Sequence, residues 1–348
     1  MMSKMTSVKT TSVKMTSVEL AKLAGVSQGT VSRCLNDSPL VSEVTKQRVK
    51  KLAEEHNFHL NSNARSLRSD RSNTIGYVFP ENVRNLTNYF MQNQLYFYIH
   101  EHLQLQGLDL IPIFPDKRPE VSSYAERLIR GRKIDGIIVS SNEPQQHVLD
   151  LIEATELPCI FSYVTSPKKE GYSTIISNMH ENGYSVGKAF CESGYSNFIE
   201  MHAFKGRGDS VQKHEGFAEA LESYGKHIEE ENQLDGDLTF ETAYRVTLEN
   251  LDKFRQADAC FAHNDAMALA IIEVLSENGI RIPEDMVLVG CGNITMSSWF
   301  RPRLSTIAVD YGRISELCAK WMIDLMQNGE TQAKTETITG TLLRRETF

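Results

Sequence analysis

The chain lacks the features that mark most other classes of protein. No apolar run approaches the roughly 18 residues that a membrane span requires, so no membrane partner is expected. Its opening, MMSKMTSVKTTSVKMTSV, carries lysines but no apolar stretch of signal-peptide type, which argues against export. The six cysteines (Cys34, Cys159, Cys191, Cys260, Cys291, Cys318) are scattered without a C-x-x-C pair. That spacing suits neither a disulfide framework nor a zinc site, and a reducing cytoplasm is the natural setting. Catalytic signatures are missing as well: there is no G-x-S-x-G, no H-E-x-x-H and no Cys/His metal spacing. His100 and His102 alternate within a helical stretch and therefore point apart. The segment GRGDS contains an adhesion-like tripeptide by coincidence and lacks the Gly-Lys-Ser/Thr ending of a phosphate loop. No catalytic residue, metal or cofactor is expected.

What is present is 348 residues with 41% hydrophobic content, enough for two or three packed domains. The net charge of -8 hides a sharp asymmetry. Residues 1 to 73 hold twelve Lys or Arg against six Asp or Glu, a net +6, whereas the remainder holds 25 against 39, a net -14. The basic end is the candidate nucleic-acid contact, because an acidic body repels phosphate and must serve another purpose.

Residues 1 to 15 show no helical apolar face and read as a mobile tail; Met15 offers a second possible start. From Thr16 the signals sharpen. Thr16 with Glu19 fits a capping box, Leu20, Leu23 and Ala24 suggest one buried stripe, and Gly25 supplies a left-handed stop. Ser27 then caps a second short helix whose Val31 and Leu35 face inward, leaving Gln28, Gly29, Thr30, Ser32 and Arg33 outside. This is the helix-turn-helix layout, although two amphipathic helices with a tight turn also occur in ordinary bundles. A third helix starts after Ser42, with Val44, Val49, Leu52 and Ala53 expected inside and Lys46, Arg48, Lys50 and Lys51 outside. The polar, basic segment NSNARSLRSDRSNT, residues 61 to 74, contains one large apolar residue, Leu67. A single turn over Ala64 to Arg68 is too short to persist alone, but DNA would stabilise it with Leu67 wedged between base steps in the minor groove.

Residues 16 to 74 resemble the lactose repressor/galactose repressor family of bacterial transcription regulators. The resemblance rests on AGVSQGTVSRCLN, on the VS-x-x-T element at 41 to 45 and on the N-x-x-A-x-x-L hinge ending at Leu67. It implies that Gln28, Gly29 and Arg33 stand where base-reading side chains stand, and that Ser27, Thr30, Ser32, Asn36, Ser42 and Thr45 hold phosphates. Gly29 replaces a commonly larger residue, which removes one side-chain base contact. Leu60 stands where the family often has Pro.

The rest of the chain reads as α/β on its own evidence. Apolar runs at 75 to 79, 108 to 114, 136 to 140, 157 to 164 and 173 to 177 alternate with helical stretches at 88 to 106, 121 to 130 and 145 to 154. A second series has strands at 198 to 204, 259 to 263 and 286 to 292 and helices near 180 to 193, 210 to 224, 240 to 254 and 265 to 278. The expected organisation is a tail (1-15), an all-α helix-turn-helix headpiece (16-60), a hinge (61-74) and a core of two doubly wound subdomains (75-348). The resemblance extends over this core as a periplasmic-binding-protein-like fold in which the chain crosses three times between subdomains. The crossings are placed near 177, 305 and 335, giving an N-subdomain of 75-177 and 305-335 and a C-subdomain of 178-304 and 336-348.

Ligands in such sheets bind beyond the carboxyl ends of the strands, and facing subdomains make a cleft there. By resemblance, Lys213, three residues before Gly216-Phe217, stands where a basic residue, usually Arg, grips the effector. Lys lacks the planar fork for a bidentate clamp. Gly292 stands where the family commonly has an Asp that accepts sugar hydroxyls, which argues against a neutral sugar held in the usual way; Asn293 is the candidate substitute. Tyr89, Phe90, Tyr163, Arg207, Asp209, Asp237 and Asn264 complete the expected pocket, and Asp265 is expected to cap its helix.

Two functions compete. One is a repressor binding a palindromic double-stranded operator as a homodimer or tetramer, controlled by a small metabolite such as a sugar or sugar derivative. The other is an α/β enzyme or solute receptor with an accessory DNA-binding module, which the missing catalytic and export signals disfavour.

Overall fold

A computed structural model describes residues 15-35, 37-56, 58, 71-80, 90-114, 123-203, 208-328 and 332-348. The chain forms two units, residues 1-72 and 73-348. The tail and most of the hinge, with Asn36, Ala64, Leu67, Tyr89 and Arg207, lie outside the described residues.

The first unit contains three helices: α1 (Ser17–Ala24), α2 (Gln28–Leu35) and α3 (Glu43–Glu55). The capping box forms as spelled, with Glu19 N–H donating to Thr16 Oγ1 and Thr16 N–H donating to the Glu19 carboxylate at 2.7 Å. Gly25 ends α1 at φ 63°. Leu20, Ala21, Ala24, Val31, Cys34, Val49 and Ala53 form the core. Two expected core residues are solvated, Leu23 at 54% and Val44 at 78% exposure. At about 100° per residue, the stripe through 20, 21 and 24 turns Leu23 aside, and that through 46, 49 and 53 turns Val44 outward. Lys46, expected outside, lies on the inner stripe with its stem buried, and its ammonium reaches Glu43 at 2.6 Å.

In the second unit, six parallel strands make the first sheet, in the order β11-β5-β4-β3-β1-β2: β1 (Thr74–Val78), β2 (Asp109–Ile113), β3 (Gly136–Val139), β4 (Cys159–Val164), β5 (Ser173–Ser177) and β11 (Thr335–Ile338). Helices α4 (Phe90–Gln104) and α12 (Tyr311–Asn328) cover one face, and α5 (Tyr124–Arg130) and α6 (Gln146–Ala154) the other. The second sheet repeats the order as β12-β10-β9-β8-β6-β7, from β6 (Phe198–His202), β7 (Gln233–Asp235), β8 (Ala259–Ala262), β9 (Val287–Cys291), β10 (Ser305–Ala308) and an antiparallel edge, β12 (Thr341–Leu343). Helices α7 (Met179–Glu192) and α8 (Gly208–Ser223) lie on one side; α9 (Phe240–Glu249), α10 (Leu251–Gln256) and α11 (Asp265–Glu277) lie on the other. The helix expected over 240 to 254 divides at Asn250, whose side-chain amide donates to the Val246 carbonyl at 2.8 Å.

The chain passes between lobes after β5, between β10 and α12, and between β11 and β12. The second and third passages fall after 308 and 338, later than the expected 305 and 335. The reason is pairing: β10 continues the second sheet beside β9, and β11 completes the first beside β5.

The crossing of α7 over α8 is unusually close. A Cβ at Gly183 would fall 1.9 Å from the Lys213 carbonyl oxygen, and one at Gly216 would fall 1.9 Å from that of His180. Glycine is obligatory at both positions, and this contact sets where α8 presents Asp209 and Lys213.

Candidate functional site

On the headpiece, the start of α2 presents the expected contact side chains. Ser27 Oγ accepts the Thr30 amide at 3.1 Å and lies 2.9 Å from the Thr30 hydroxyl. Gln28, Arg33 and Ser42 are exposed, while Gly29, Thr30, Ser32 and Thr45 are half-buried. The Gln28 amide donates to Ser17 Oγ at 2.7 Å, so reading a base edge requires exchanging that bond. A Cβ at Gly29 would meet only Ser27 Oγ at 3.7 Å, so packing does not demand the missing side chain. Ser42 precedes α3 without capping an amide through its side chain; its hydroxyl pairs with that of Thr45 at 2.9 Å.

In the body, three expected pocket residues share a left-handed backbone near strand ends: Tyr163 at φ 56°, Asp237 at 54° and Asn293 at 50°. Such geometry is costly for residues with a Cβ and gathers where ligands are held. Tyr163 is buried, and its hydroxyl lies near Ser177 and Asp209 without an aligned hydrogen bond. Desolvation raises its pKa. Asp209 and Lys213 are buried beside it on α8, close enough to bias the Cys291 thiol, which burial pushes up to about 11. The Lys213 ammonium donates to the His263 carbonyl at 2.9 Å. Phe90 packs partly against the second lobe, while Asp237 stands half-buried past β7.

Other expected ligand residues have structural duties. Asn264, not Asp265, caps α11: its Oδ1 accepts the Met267 amide at 2.8 Å and its Nδ2 donates to the Leu238 carbonyl at 2.9 Å. Asn293 Oδ1 accepts from Arg345 at 2.5 Å, which holds this side chain in place. Gly292 adopts φ 126° and its carbonyl accepts the Tyr311 hydroxyl at 2.6 Å. An Asp there would be strained. Asp265 turns inward instead, accepting from the Thr306 hydroxyl at 2.6 Å and the Ile294 amide at 2.8 Å. Desolvation pushes its pKa up to about 6 against those two hydrogen bonds.

Beneath Lys213 lies a polar cluster that motif spacing does not reveal. Alternation along β6 and β8 directs Glu200, His202 and His263 toward α8, where Ser210 and His214 meet them. The fully buried Glu200 carboxylate lies 2.7 Å from His263 Nε2 through Oε1, and 2.7 Å from His214 Nδ1 and 3.0 Å from His202 Nε2 through Oε2. Ser210 Oγ lies 2.9 Å from His263 Nδ1. Desolvation opposes charge on Glu200, but the surrounding histidines hold its pKa well below the ordinary carboxylate value. Burial pushes His263 down to about 4, whereas the hydrogen bond to Glu200 raises His214. The available signal was the E-x-H pair in FIEMHAF, two polar residues on one face of a strand that is otherwise apolar.

Comparison with known proteins agrees with this two-part construction. The pattern for bacterial regulatory proteins of the lacI family matches residues 18–61, and that for the periplasmic binding protein-like domain matches residues 188–348. The HTH-type transcriptional repressor PurR of Aliivibrio fischeri strain MJ11 is 27% identical over 321 residues, covering 90% of this chain and 93% of that protein. The probable HTH-type transcriptional repressor ExuR of Bacillus subtilis is 28% identical over 324 residues, covering 90% and 92%. Among solved structures, the lac repressor dimer bound to operator and the anti-inducer ONPF matches with a TM-score of 0.77 at 20% identity, covering 96% of this chain and 98% of that one. The CelR–cellobiose complex matches with a TM-score of 0.70 at 24% identity, covering 96% and 100%. At these identities the solved structures carry the fold.

Proposed function

We propose that this chain, whose headpiece matches the pattern for bacterial regulatory proteins of the lacI family, represses transcription by binding a palindromic operator and releases or tightens that grip when a small metabolite enters the body. The observation that carries this reading is the union of a basic helix-turn-helix unit with an acidic, two-lobed body that buries Tyr163, Asp209 and Lys213 around Cys291.

The start of α2 enters the major groove, Arg33 reads a base edge, and Ser27, Thr30, Ser32, Ser42 and Thr45 fix register on phosphates. Gln28 joins the readout once it exchanges its bond to Ser17. Asn36 adds a phosphate contact, and the hinge, with Ala64 and Leu67, orders in the minor groove. One of the three Lys213 N–H groups is spent on His263, and the others face the effector with Asp209 and Tyr163. A buried ammonium suits a metabolite rich in acceptors, such as a sugar acid or sugar phosphate, better than a neutral sugar. Phe90 and Asp237 line the rim; Tyr89 and Arg207 lie outside the described residues. An effector that fits one arrangement of the lobes better than the other shifts operator affinity by that difference.

The working unit is a homodimer. A groove of about 470 Å³ runs between α4 and the turn after β9, lined by Phe97, Tyr98, Met296 and Trp299. Phe97 is 65% exposed and Trp299 68%, an apolar patch that a second copy would cover.

The test is binding of the full-length protein to a library of genomic fragments, with and without sugar acids, sugar phosphates, sugars and nucleobases. Selected fragments should share a palindrome, and their affinity should fall steeply with salt as counterions are released. Arg33→Ala should weaken the best fragment by roughly 10- to 100-fold and relax one position of the site. Binding indistinguishable from random duplex under every condition would overturn the reading.

A further inference from the structure

We propose that Glu200, His202 and His214 form a binding site for a divalent transition-metal ion of the zinc class, with one carboxylate oxygen and two imidazole nitrogens as ligands. The site stands apart from the DNA-binding reading and from the effector contacts of Lys213.

Local structure brings the three donors together. Glu200 and His202 are two apart on β6 and share a face of the sheet, and His214 comes from the second turn of α8, packed on that face. One donor atom from each residue lies within 4.8 Å of the others. His214 Nδ1 and His202 Nε2 flank the same oxygen, Glu200 Oε2, at 2.7 and 3.0 Å. Zinc ligands about 2.0–2.1 Å from the ion stand about 3.3 Å apart in tetrahedral geometry, so admitting it requires the two short contacts to open by about 0.3–0.6 Å and the wider separation, within 4.8 Å, to settle toward that spacing.

His202 Nε2 is the informative atom. It is buried and close to the carboxylate, yet it is not aligned for a hydrogen bond and has no other partner among the described residues. Buried imidazole nitrogens nearly always have one. A coordinated ion would supply the partner that this nitrogen lacks.

The surroundings orient the carboxylate. The Ala203 amide donates to Ser210 Oγ, Ser210 lies against His263 Nδ1, and His263 Nε2 lies against Glu200 Oε1. These contacts form one continuous chain from the Ala203 amide to the carboxylate. Glu200 is thereby held with Oε2 turned toward His202 and His214. Metal-ligating groups are oriented by partners of this type. Two neutral imidazoles and one carboxylate select a borderline ion such as Zn²⁺ over Mg²⁺ or Ca²⁺, and three protein ligands leave a position for water. Bound there, the ion would pin α8 to β6 and so hold Lys213, the neighbour of His214, at the effector cleft.

The experiment uses full-length protein prepared without a polyhistidine tag, stripped with chelator and titrated with Zn²⁺ by calorimetry, with Co²⁺ as a spectroscopic probe. The expected result is one Zn²⁺ per chain, a higher melting temperature with the ion, and a tetrahedral Co²⁺ absorption band. His214→Gln, at the half-buried ligand, should weaken Zn²⁺ at least about 100-fold, and His263→Gln, one step removed, about 10- to 100-fold. The proposal is overturned if stripped wild-type protein takes up no stoichiometric Zn²⁺, or if His202→Gln and His214→Gln bind it as tightly as wild type. In that event the cluster is a buried network of ion pairs.

Discussion

The two lobes of the body share a strand order but bury different chemistry. Among the described residues, the first lobe encloses neutral polar side chains such as Gln92, Ser140, Ser162 and Thr174, together with a run of aromatics from Tyr77 to Phe114. The second encloses Glu200, Asp209, Lys213, His263 and Asp265. Burying charge is expensive unless each charge is partnered, so a lobe that encloses Glu200, Asp209, Lys213 and Asp265 is organised around them. One architecture therefore serves as a largely inert wall on one side and as the chemical half of the cleft on the other.

The sharpest way to break this comparison is at the close helix crossing of the second lobe. Gly216→Val forces a side chain into the His180 carbonyl and should cost more than about 4 kcal/mol, read as loss of cooperative unfolding. Gly312→Ala, on α12 over the first lobe, meets only Asp310 Oδ1 at 3.4 Å and should leave the melting curve nearly unchanged.

Next comes charge. The pKa of Asp265 is raised in the folded state from 3.8 to about 6, so its ionisation opposes folding. Its contribution is complete below about pH 4 and is lost as pH rises through about 6. The stability of wild type relative to Asp265→Asn should accordingly fall across that window, by up to about 3 kcal/mol. Denaturant melts at pH 4, 5, 6 and 7 measure it, and a flat or rising difference would contradict the assignment.

Lys213→Met keeps the volume of the side chain and removes its charge. Effector response should drop at least about tenfold, worth about 1.4 kcal/mol, while operator affinity without effector stays within a factor of two or so. An unchanged response would place the pocket elsewhere. A smaller effect belongs to the first lobe: Ser140→Ala deletes one neutral hydrogen bond, 2.9 Å to Gln92 Oε1, and should cost about 1 kcal/mol by denaturant unfolding with no change in response.

Much of this molecule was readable from local signals. The Thr16/Glu19 box, Gly25 and the Ser27 cap act within a few residues, and each formed as written. Reading failed where partners are distant. Leu23 and Val44 look like core residues because they are apolar, but which stripe is buried depends on where the other two helices sit. Asp265 resembles a cap, yet Thr306 and Ile294 draw it inward and leave Asn264 to cap. The crossings expected near 305 and 335 fall a few residues later, after β10 and β11, because a short strand takes its sheet from whichever edge it reaches. Glu200, His202 and His214 show no metal-like spacing because strand period and helix packing, not sequence intervals, bring them together.

Sequence alone determined the division into a cationic helical headpiece and an anionic α/β body, since charge segregation and hydrophobic period are properties of short windows. Tertiary structure alone decided which buried charges meet and which strand ends are strained. Those outcomes depend on contacts between residues tens of positions apart, whose energies exist only once the lobes have packed.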